Sequence, residues 1–332
     1  MTLLPKVIFG TSSLGNLYSV LDDQIKYEII EQIVSRTELA VFDTAGKYGA
    51  GLALEVLGNG LDRIDVQSEN VVISNKLGWL QVPLLEAEPT FEKGVWFGLD
   101  RDAVQKISYE GILECFEQGN SLLGRYDASM VSVHDPDEYL SASSDAADYN
   151  LRYKDILDAY RGLYELKTAG KVNSVGVGAK NWKVIEKISK DIELDWVMFA
   201  NSLTLHSHPR ELMKFIADLA ERGTQVINSA VFNGGFLIGG DYYNYLPVDP
   251  GASSGRSLIE WRRAFFKCCE DFGILPAEAC FEFGIKFPGI SSIALNTSKP
   301  ENIAKNIDMA SVRLPDDFWN ALYHQKLIAV KV

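Results

Sequence analysis

Leu39-Ala40-Val41-Phe42-Asp43-Thr44-Ala45-Gly46-Lys47-Tyr48 begins as an apolar, strand-like run, stops on a carboxylate, and reaches a phenol after a short turn. The pattern recurs. Val71-Val72-Ile73-Ser74-Asn75 ends on Lys76, and Met130-Val131-Ser132-Val133 ends on His134. In a parallel α/β barrel the carboxyl ends of the strands converge on one face, and that face carries the active site. An acid, a phenol, an amine and an imidazole gathered there form a proton-transfer set, so Asp43, Tyr48, Lys76 and His134 are the candidate catalytic residues.

Outward from these three runs, the alternation continues along the whole chain. Strand-like segments fall at 6–11, 39–43, 71–76, 128–134, 172–178, 196–200, 225–229 and 291–296. Helix-like stretches lie between them, at 23–35, 102–123, 154–169, 182–190 and 209–222, with a last one at 315–327. Within 102–123, Val104, Ile107, Ile112, Cys115, Phe116 and Leu122 fall near one stripe, as a helix packed on a sheet requires. Eight such repeats predict an α/β fold, a (β/α)8 TIM barrel, as a single domain over 1–332. Three insertions, 78–101, the polar 135–152 and 239–256, all follow strands and therefore read as long loops on the C-terminal rim.

Composition narrows the function. With 332 residues, 47% of them hydrophobic, the chain can bury a sizeable core. A net charge of −13 argues against a nucleic-acid partner, because phosphate contacts need clustered Lys and Arg. It leaves room for one local cationic pocket. Cys115, Cys268, Cys269 and Cys280 have no Cys-x-x-Cys spacing and read as buried free thiols of a reducing compartment. Met1–Gly10 lacks a charged start and a long apolar core, and no apolar run approaches the ~18 residues of a membrane span. The expectation is a soluble cytoplasmic protein, monomer or small homo-oligomer, acting on a small molecule away from membranes. His206-x-His208 has a metal-like spacing but no evident third ligand, and a metal-dependent hydrolase would need more histidines at strand ends than His134; no metal is expected.

A free tyrosine has a pKa near 10 and is a poor acid–base group at neutral pH. A cation about 4 Å away stabilises phenolate by roughly 4 kcal/mol at an effective dielectric of about 20, enough to lower the pKa by up to about 3 units. Lys76 is the candidate cation, Asp43 would hold it charged, and His134 would orient the substrate oxygen. Trp79 and Trp96, in the 78–101 insertion, present flat indoles suited to a sugar ring; with Tyr48 and His134 they are the candidate substrate-binding residues, packing alone being the rival role. Trp182, Trp196, Trp261 and Trp319 read as core or helix-packing residues, His324 as surface, and Glu55 and Asp102 as solvated charges at helix starts.

Phe42-Asp43-Thr44-Ala45-Gly46-Lys47-Tyr48-Gly49-Ala50-Gly51, continuing to Glu55 and Leu57-Gly58, resembles the signature of the aldo-keto reductases, with Asn75-Lys76 and Val133-His134 falling where that family keeps its lysine and histidine. The resemblance implies a nicotinamide cofactor held across the barrel mouth without a Rossmann domain. Gly176-Val177-Gly178 indeed lacks the third glycine of a dinucleotide loop. It also implies hydride transfer at a substrate carbon, with Tyr48 giving or taking the proton. The cofactor positions it implies are Thr11, Asp43, Asn181, Asn201, Ser229, Phe232, Asn233, Gly234, Asn296, Thr297, Asn302 and Asn306. Asn181, Asn201 and Ser229 stand in for residues the family usually has: here the text reads Gly178-Ala179-Lys180-Asn181, Asn201-Ser202 and Asn228-Ser229. Asn296 and Asn302 occupy positions where members preferring NADPH carry cations, which favours NAD over NADP, with Lys299 the rival cation for NADP.

Glu88-Pro89-Thr90-Phe91-Glu92-Lys93-Gly94-Val95-Trp96 and Ser132-Val133-His134-Asp135-Pro136-Asp137 are similar to the aldose 1-dehydrogenases of that family, those of L-fucose, L-galactose and D-threo-aldoses. The implied reaction is oxidation of the anomeric hydroxyl of such a sugar, or of D-arabinose, to the lactone in carbohydrate metabolism. The alternatives are an NADPH-dependent aldehyde reductase, a pyridoxal 4-dehydrogenase, and, in another class, a nicotinamide-binding regulatory subunit.

Overall fold

A computed structural model describes residues 3–331; Met1, Thr2 and Val332, the ends of the expected 1–332 unit, lie outside them. Eight parallel strands close into a barrel in the order β1 (Val7–Gly10), β12 (Ile290–Leu295), β9 (Gln225–Ser229), β8 (Trp196–Ala200), β7 (Ser174–Ala179), β6 (Met130–His134), β3 (Val71–Leu77) and β2 (Ala40–Ala45), with β2 pairing again with β1. The fold is a (β/α)8 TIM barrel. Each of the eight runs read from the sequence is one of these strands, its ends shifted by a residue or two.

The surrounding helices are α1 (Asp23–Arg36), α2 (Leu52–Arg63), α3 (Tyr109–Leu123), α4 (Pro136–Ser141), α5 (Ala146–Thr168), α6 (Trp182–Asp191), α7 (Arg210–Glu221), α8 (Ser253–Phe272), α9 (Pro276–Lys286), α10 (Asn302–Asp308) and α11 (Asp316–His324). Several starts are fixed by side chains. Asp22, Ser108, Asp145 and Asn181 accept from the backbone N–H of Gln24, Gly111, Asp148 and Lys183, satisfying donors that a first turn leaves free.

Three expectations need correction. The stretch 102–123 is not one helix: Arg101–Gln105 is strand β5, antiparallel to β4 (Trp79–Pro83), and α3 begins only after the Ser108 cap. Val104 is consequently exposed, while Ile107, Ile112, Cys115 and Phe116 are buried as expected. Apolar spacing alone could not separate a strand from the helix that follows it; the capping serine does. Asp102 is no solvated helix-start charge either. It is buried and accepts from Thr90 N, Thr90 Oγ1 and Ala103 N, pinning the 78–101 insertion to its own hairpin. The polar stretch 135–152 is not a loop but holds α4 and the first turns of α5, and 239–256 contains the small hairpin β10 (Tyr242–Tyr243) and β11 (Leu246–Pro247) before α8.

Two packed layers position the site. Apolar residues between sheet and helices form the large outer core, and Ile8, Val41, Met130, Trp196, Met198, Ile227 and Ala294 fill the barrel interior beneath the mouth. Gly176 and Gly178 exist for this interior. A Cβ on Gly176 would lie 2.2 Å from the Trp196 ring and 2.5 Å from its carbonyl oxygen, and one on Gly178 would come within 3.2 Å of Lys76 Cδ. Trp196, Trp319 and all four cysteines are buried, the cysteines unpaired, and His324 is exposed. Among the described residues no helix is long and apolar enough to cross a membrane.

Gly176→Ala should therefore overpack the barrel floor and cost about 3 kcal/mol, measured as a lowered guanidinium midpoint. An unaltered midpoint would mean that the indole has room to move aside.

Candidate active site

Strands β2, β3 and β6 are neighbours, in a register that pairs Asp43 with Ser74, Ala45 with Lys76, and Lys76 with Ser132. Period-two alternation then sends Asp43, Lys76 and His134 to the same face at the top of the barrel. Lys76 Nζ donates to Asp43 Oδ2 at 2.6 Å and to the Thr44 carbonyl at 3.2 Å, with both charged side chains buried. Ser74 Oγ reaches Asp43 Oδ1 at 3.4 Å, and Thr11 donates its N–H and Oγ1–H to the Asp43 carbonyl. Tyr48 leaves β2 through a turn closed by its own N–H on the Ala45 carbonyl. Its ring centroid is 4.8 Å from Lys76 Nζ and 5.6 Å from the His134 ring, edge-on. The four residues of the proton-transfer set are thus brought together. Gly15 packs directly under this turn: a Cβ there would sit 2.7 Å from the Tyr48 carbonyl carbon.

The electrostatics overturn one expectation. Lys76 does not leave Tyr48 acidic. Burial pushes the Tyr48 phenol well above its ordinary pKa, and the Asp43 and Asp135 carboxylates push it further. The reason is geometric: Asp43, at 2.6 Å, already takes up the Lys76 charge. His134 moves the other way. Burial, then the Lys76 and Lys47 ammonium groups, hold it well below the ordinary imidazole value, so it is neutral at pH 7, and its Nδ1 is buried without a hydrogen-bond partner among the described residues. In the free protein the site therefore presents a protonated phenol beside a neutral imidazole.

Trp96 is buried against Tyr48, with centroids 5.7 Å apart, and donates its Nε1–H to Glu92 Oε2 at 2.7 Å. Trp79, half-buried, packs on Phe91, and its buried Nε1–H has no partner among the described residues. The insertion carrying both indoles is laced to the loop after β1 by Tyr18 N on the Val95 carbonyl and Phe97 N on the Asn16 carbonyl. Sequence reasoning missed a charged cluster on this side. Lys47 is buried and bonds Glu92, Asp135 and Glu138, while Lys180 pairs with Glu138. The available signal was adjacency: Lys47 precedes Tyr48, and Asp135 follows His134.

The opposite arc of the mouth, β8–β9–β12–β1, is polar. Asn201 has a left-handed backbone (φ 58°), donates its N–H to the Ser229 carbonyl, and has a buried Oδ1 without a partner among the described residues. Ser229 Oγ donates to the Phe199 carbonyl. Asn296 accepts from Ser13 Oγ and donates to Ser12 Oγ, and Asn302 Nδ2 donates to Thr297 Oγ1. Asn306 is half-buried on α10, and Lys299 is exposed. Other expected cofactor positions are committed elsewhere. Asn181 is exposed and spends its carboxamide oxygen capping α6, whereas Asn233 is fully buried and ties its loop to Asn244. Phe232 packs between the two outer cores, and Gly234 takes the left-handed turn (φ 72°) beneath the β10–β11 hairpin. Tyr245 of that hairpin lies 5.7 Å from Lys180 Nζ, and Tyr242 stacks on Tyr18. His206 and His208 are used up in packing: His206 pairs with Tyr243, and His208 contacts the Thr204 carbonyl and accepts from Ala329 N.

Asn201, with an unfilled carboxamide oxygen and Ser229 beside it, and Asn296, Thr297 and Asn302 after β12 give this arc the amide and hydroxyl groups that suit a ligand bearing amide N–H and phosphate oxygens. A nicotinamide nucleotide has both.

A sequence model of the Aldo/keto reductase family matches residues 6–324. Pyridoxal 4-dehydrogenase of Microbacterium luteolum is 26% identical, aligned over 96% of this chain and 93% of that protein. D-threo-aldose 1-dehydrogenase of a Pseudomonas species is 23% identical, over 98% and 95%. The solved structure of glycerol dehydrogenase AKR11B4 from Gluconobacter oxydans superposes with a TM-score of 0.69 at 18% identity, covering 99% of this chain and 93% of that one, a likeness of fold.

Lys76→Met would strand the buried Asp43 carboxylate and should cost about 3–5 kcal/mol. Adding Asp43→Leu should restore most of the melting temperature without restoring activity. A single variant as stable as the parent would contradict the pairing.

Proposed function

The chain belongs to the aldo/keto reductase family and is an NAD(P)-dependent oxidoreductase; from that premise we propose that it oxidises a cyclic hemiacetal to a lactone, with a small aldose of the L-fucose, L-galactose or D-arabinose type as first substrate. Tyr48 is the acid–base residue, Lys76 and Asp43 hold its surroundings, and His134 orients the substrate oxygen. A bound nicotinamide would supply the hydride-accepting chemistry at the substrate carbon. The hydroxyl proton passes to the phenolate form of Tyr48, which becomes the phenol, while the neutral imidazole of His134 holds the oxygen that becomes the carbonyl. Trp96 and Trp79 carry the ring.

The observation that supports this reading most is the Tyr48–Trp96–His134 corner, which sets a flat apolar face beside a proton donor and a neutral imidazole. The two named relatives agree with it chemically. Aldoses and pyridoxal are both hydroxyaldehydes that close on themselves as hemiacetals. Pyridoxal is accordingly the second candidate, and the relative naming it has the higher identity of the two. NAD is the proposed oxidant, since Asn296 and Asn302 bring carboxamides rather than cations to the β12 loop. A cytoplasmic location and a monomer or small homo-oligomer complete the proposal.

The test is nicotinamide reduction with L-fucose, L-galactose, D-arabinose and pyridoxal, each with NAD and NADP. Turnover confined to aldehyde reduction with NADPH would discard the hemiacetal reading. Tyr48→Phe should abolish turnover yet still bind nucleotide. The raised Tyr48 pKa sets the sign of the pH dependence: oxidation needs the scarce phenolate, so its kcat/KM should rise about tenfold per unit between roughly pH 6 and 9, while reduction, which uses the phenol, should stay level. A flat oxidation profile would remove Tyr48 as the base.

A further inference from the structure

Lys47 lies in the turn between β2 and Tyr48, and only 4% of its side chain is exposed. A buried ammonium needs anions, and it has three, from two separate segments of the rim. Glu92, in the insertion between β4 and β5, approaches at 2.7 Å; Asp135 and Glu138, at the start of α4, approach at 3.3 and 2.9 Å. Two of these carboxylates lead onward to the reaction corner. Glu92 divides its oxygens, Oε1 to Lys47 and Oε2 to Trp96 Nε1–H. Asp135 Oδ2 lies 3.3 Å from Lys47 and 3.6 Å from His134 Nε2. Lys47 Nζ also lies 5.4 Å from the Trp79 ring centroid.

The backbone carries the same mark. Glu92 (φ 41°) and Asp135 (φ 44°) are both left-handed, a conformation that residues with a Cβ resist. Such strain persists where the surroundings over-determine it, typically at ligand clamps. Here the shared element is Lys47. One cation thus ties the indole wall, Trp79 and Trp96, to the imidazole, His134, with Tyr48 between them at 5.7 Å from Trp96 and 5.6 Å from His134.

We propose that Lys47 is a positioning residue which sets the width of the substrate slot, holding the tryptophan wall and His134 at the spacing that admits a single flat ring over Tyr48. This rests on the reading of Tyr48 and His134 given above. A ring substrate needs both walls at once; a short open-chain aldehyde needs only the phenol and the imidazole. Lys47 therefore governs selection between them.

The experiment compares Lys47→Met, Lys47→Arg and Glu92→Gln in the full chain, with pyridoxal and D-arabinose as ring probes, propanal as the open-chain probe, and nucleotide binding measured separately. Lys47→Met should lower kcat/KM for the ring probes about 100-fold, chiefly through KM, the scale expected when a bound group shifts by about 1 Å. Propanal reduction should fall less than about tenfold, and nucleotide affinity should hold. Lys47→Arg should recover part of the ring preference. Glu92→Gln keeps an acceptor for Trp96 but drops the charge, so it should show the same selective loss at smaller size even if Lys47→Met folds poorly. A loss equal for ring and open-chain probes, or none, overturns the slot role. Proton NMR of the four imidazoles gives a readout free of turnover. His134 faces Lys76, Lys180, Glu138, Asp135 and Tyr48 as well as Lys47, and removing the Lys47 cation should raise the His134 titration midpoint; an unmoved midpoint counts against the proposal. Tyr48→Phe runs alongside. Turnover in that variant overturns the catalytic reading itself, whereas inactive Tyr48→Phe with an unaltered Lys47→Met profile overturns the slot alone.

Discussion

The Asp43–Lys76 ion pair organises the barrel mouth. Two opposite charges lie buried at 2.6 Å on adjacent strands, and each is tolerable there only because of the other. Their demands propagate. A Cβ on Gly178 of β7 would press to within 3.2 Å of Lys76 Cδ, and Ser74 supplies a hydroxyl to the second Asp43 oxygen. Thr11 fastens β1 to the Asp43 backbone. The pair also explains the state of Tyr48. An ammonium already neutralised by a carboxylate does little to draw the proton from a phenol 4.8 Å from ring centre to nitrogen, so burial prevails.

Around this pair the mouth divides by chemistry. Strands β2, β3 and β6 present groups that move or orient protons, and β8, β9, β12 and β1 present amides and hydroxyls. The partition follows from strand order, since each set is contiguous in the sheet. The insertions then cover one side each. The β4–β5 hairpin, bound through Asp102 and Thr90, brings the indoles, and the β10–β11 hairpin brings Tyr245 towards Lys180.

Most of the barrel was legible because each strand is a short, nearly continuous apolar run, the composition of strands buried on both faces. The gathering of Asp43, Tyr48, Lys76 and His134 was legible for a related reason: a polar residue ending such a run has one place to go. The rim was not. Periodicity merged β5 with α3 because Val104 and Ile107 fit a helical stripe as well as a strand, and the polar text of 135–152 concealed helices whose stability comes from caps and packing. The Lys47 cluster was invisible because its members come from distant parts of the chain and meet only after the insertion has folded back. The pKa of Tyr48 was misjudged because charge types can be read from sequence, whereas the 2.6 Å separation that cancels one of them cannot.

The filled floor has a consequence for traffic. Trp196, Met198, Met130 and their neighbours plug the barrel, so that nothing passes through it. Whatever reaches Tyr48 arrives by the mouth and departs by the same door. Incoming and outgoing molecules therefore share the same open end of the barrel, and a molecule lodged there obstructs both directions of travel.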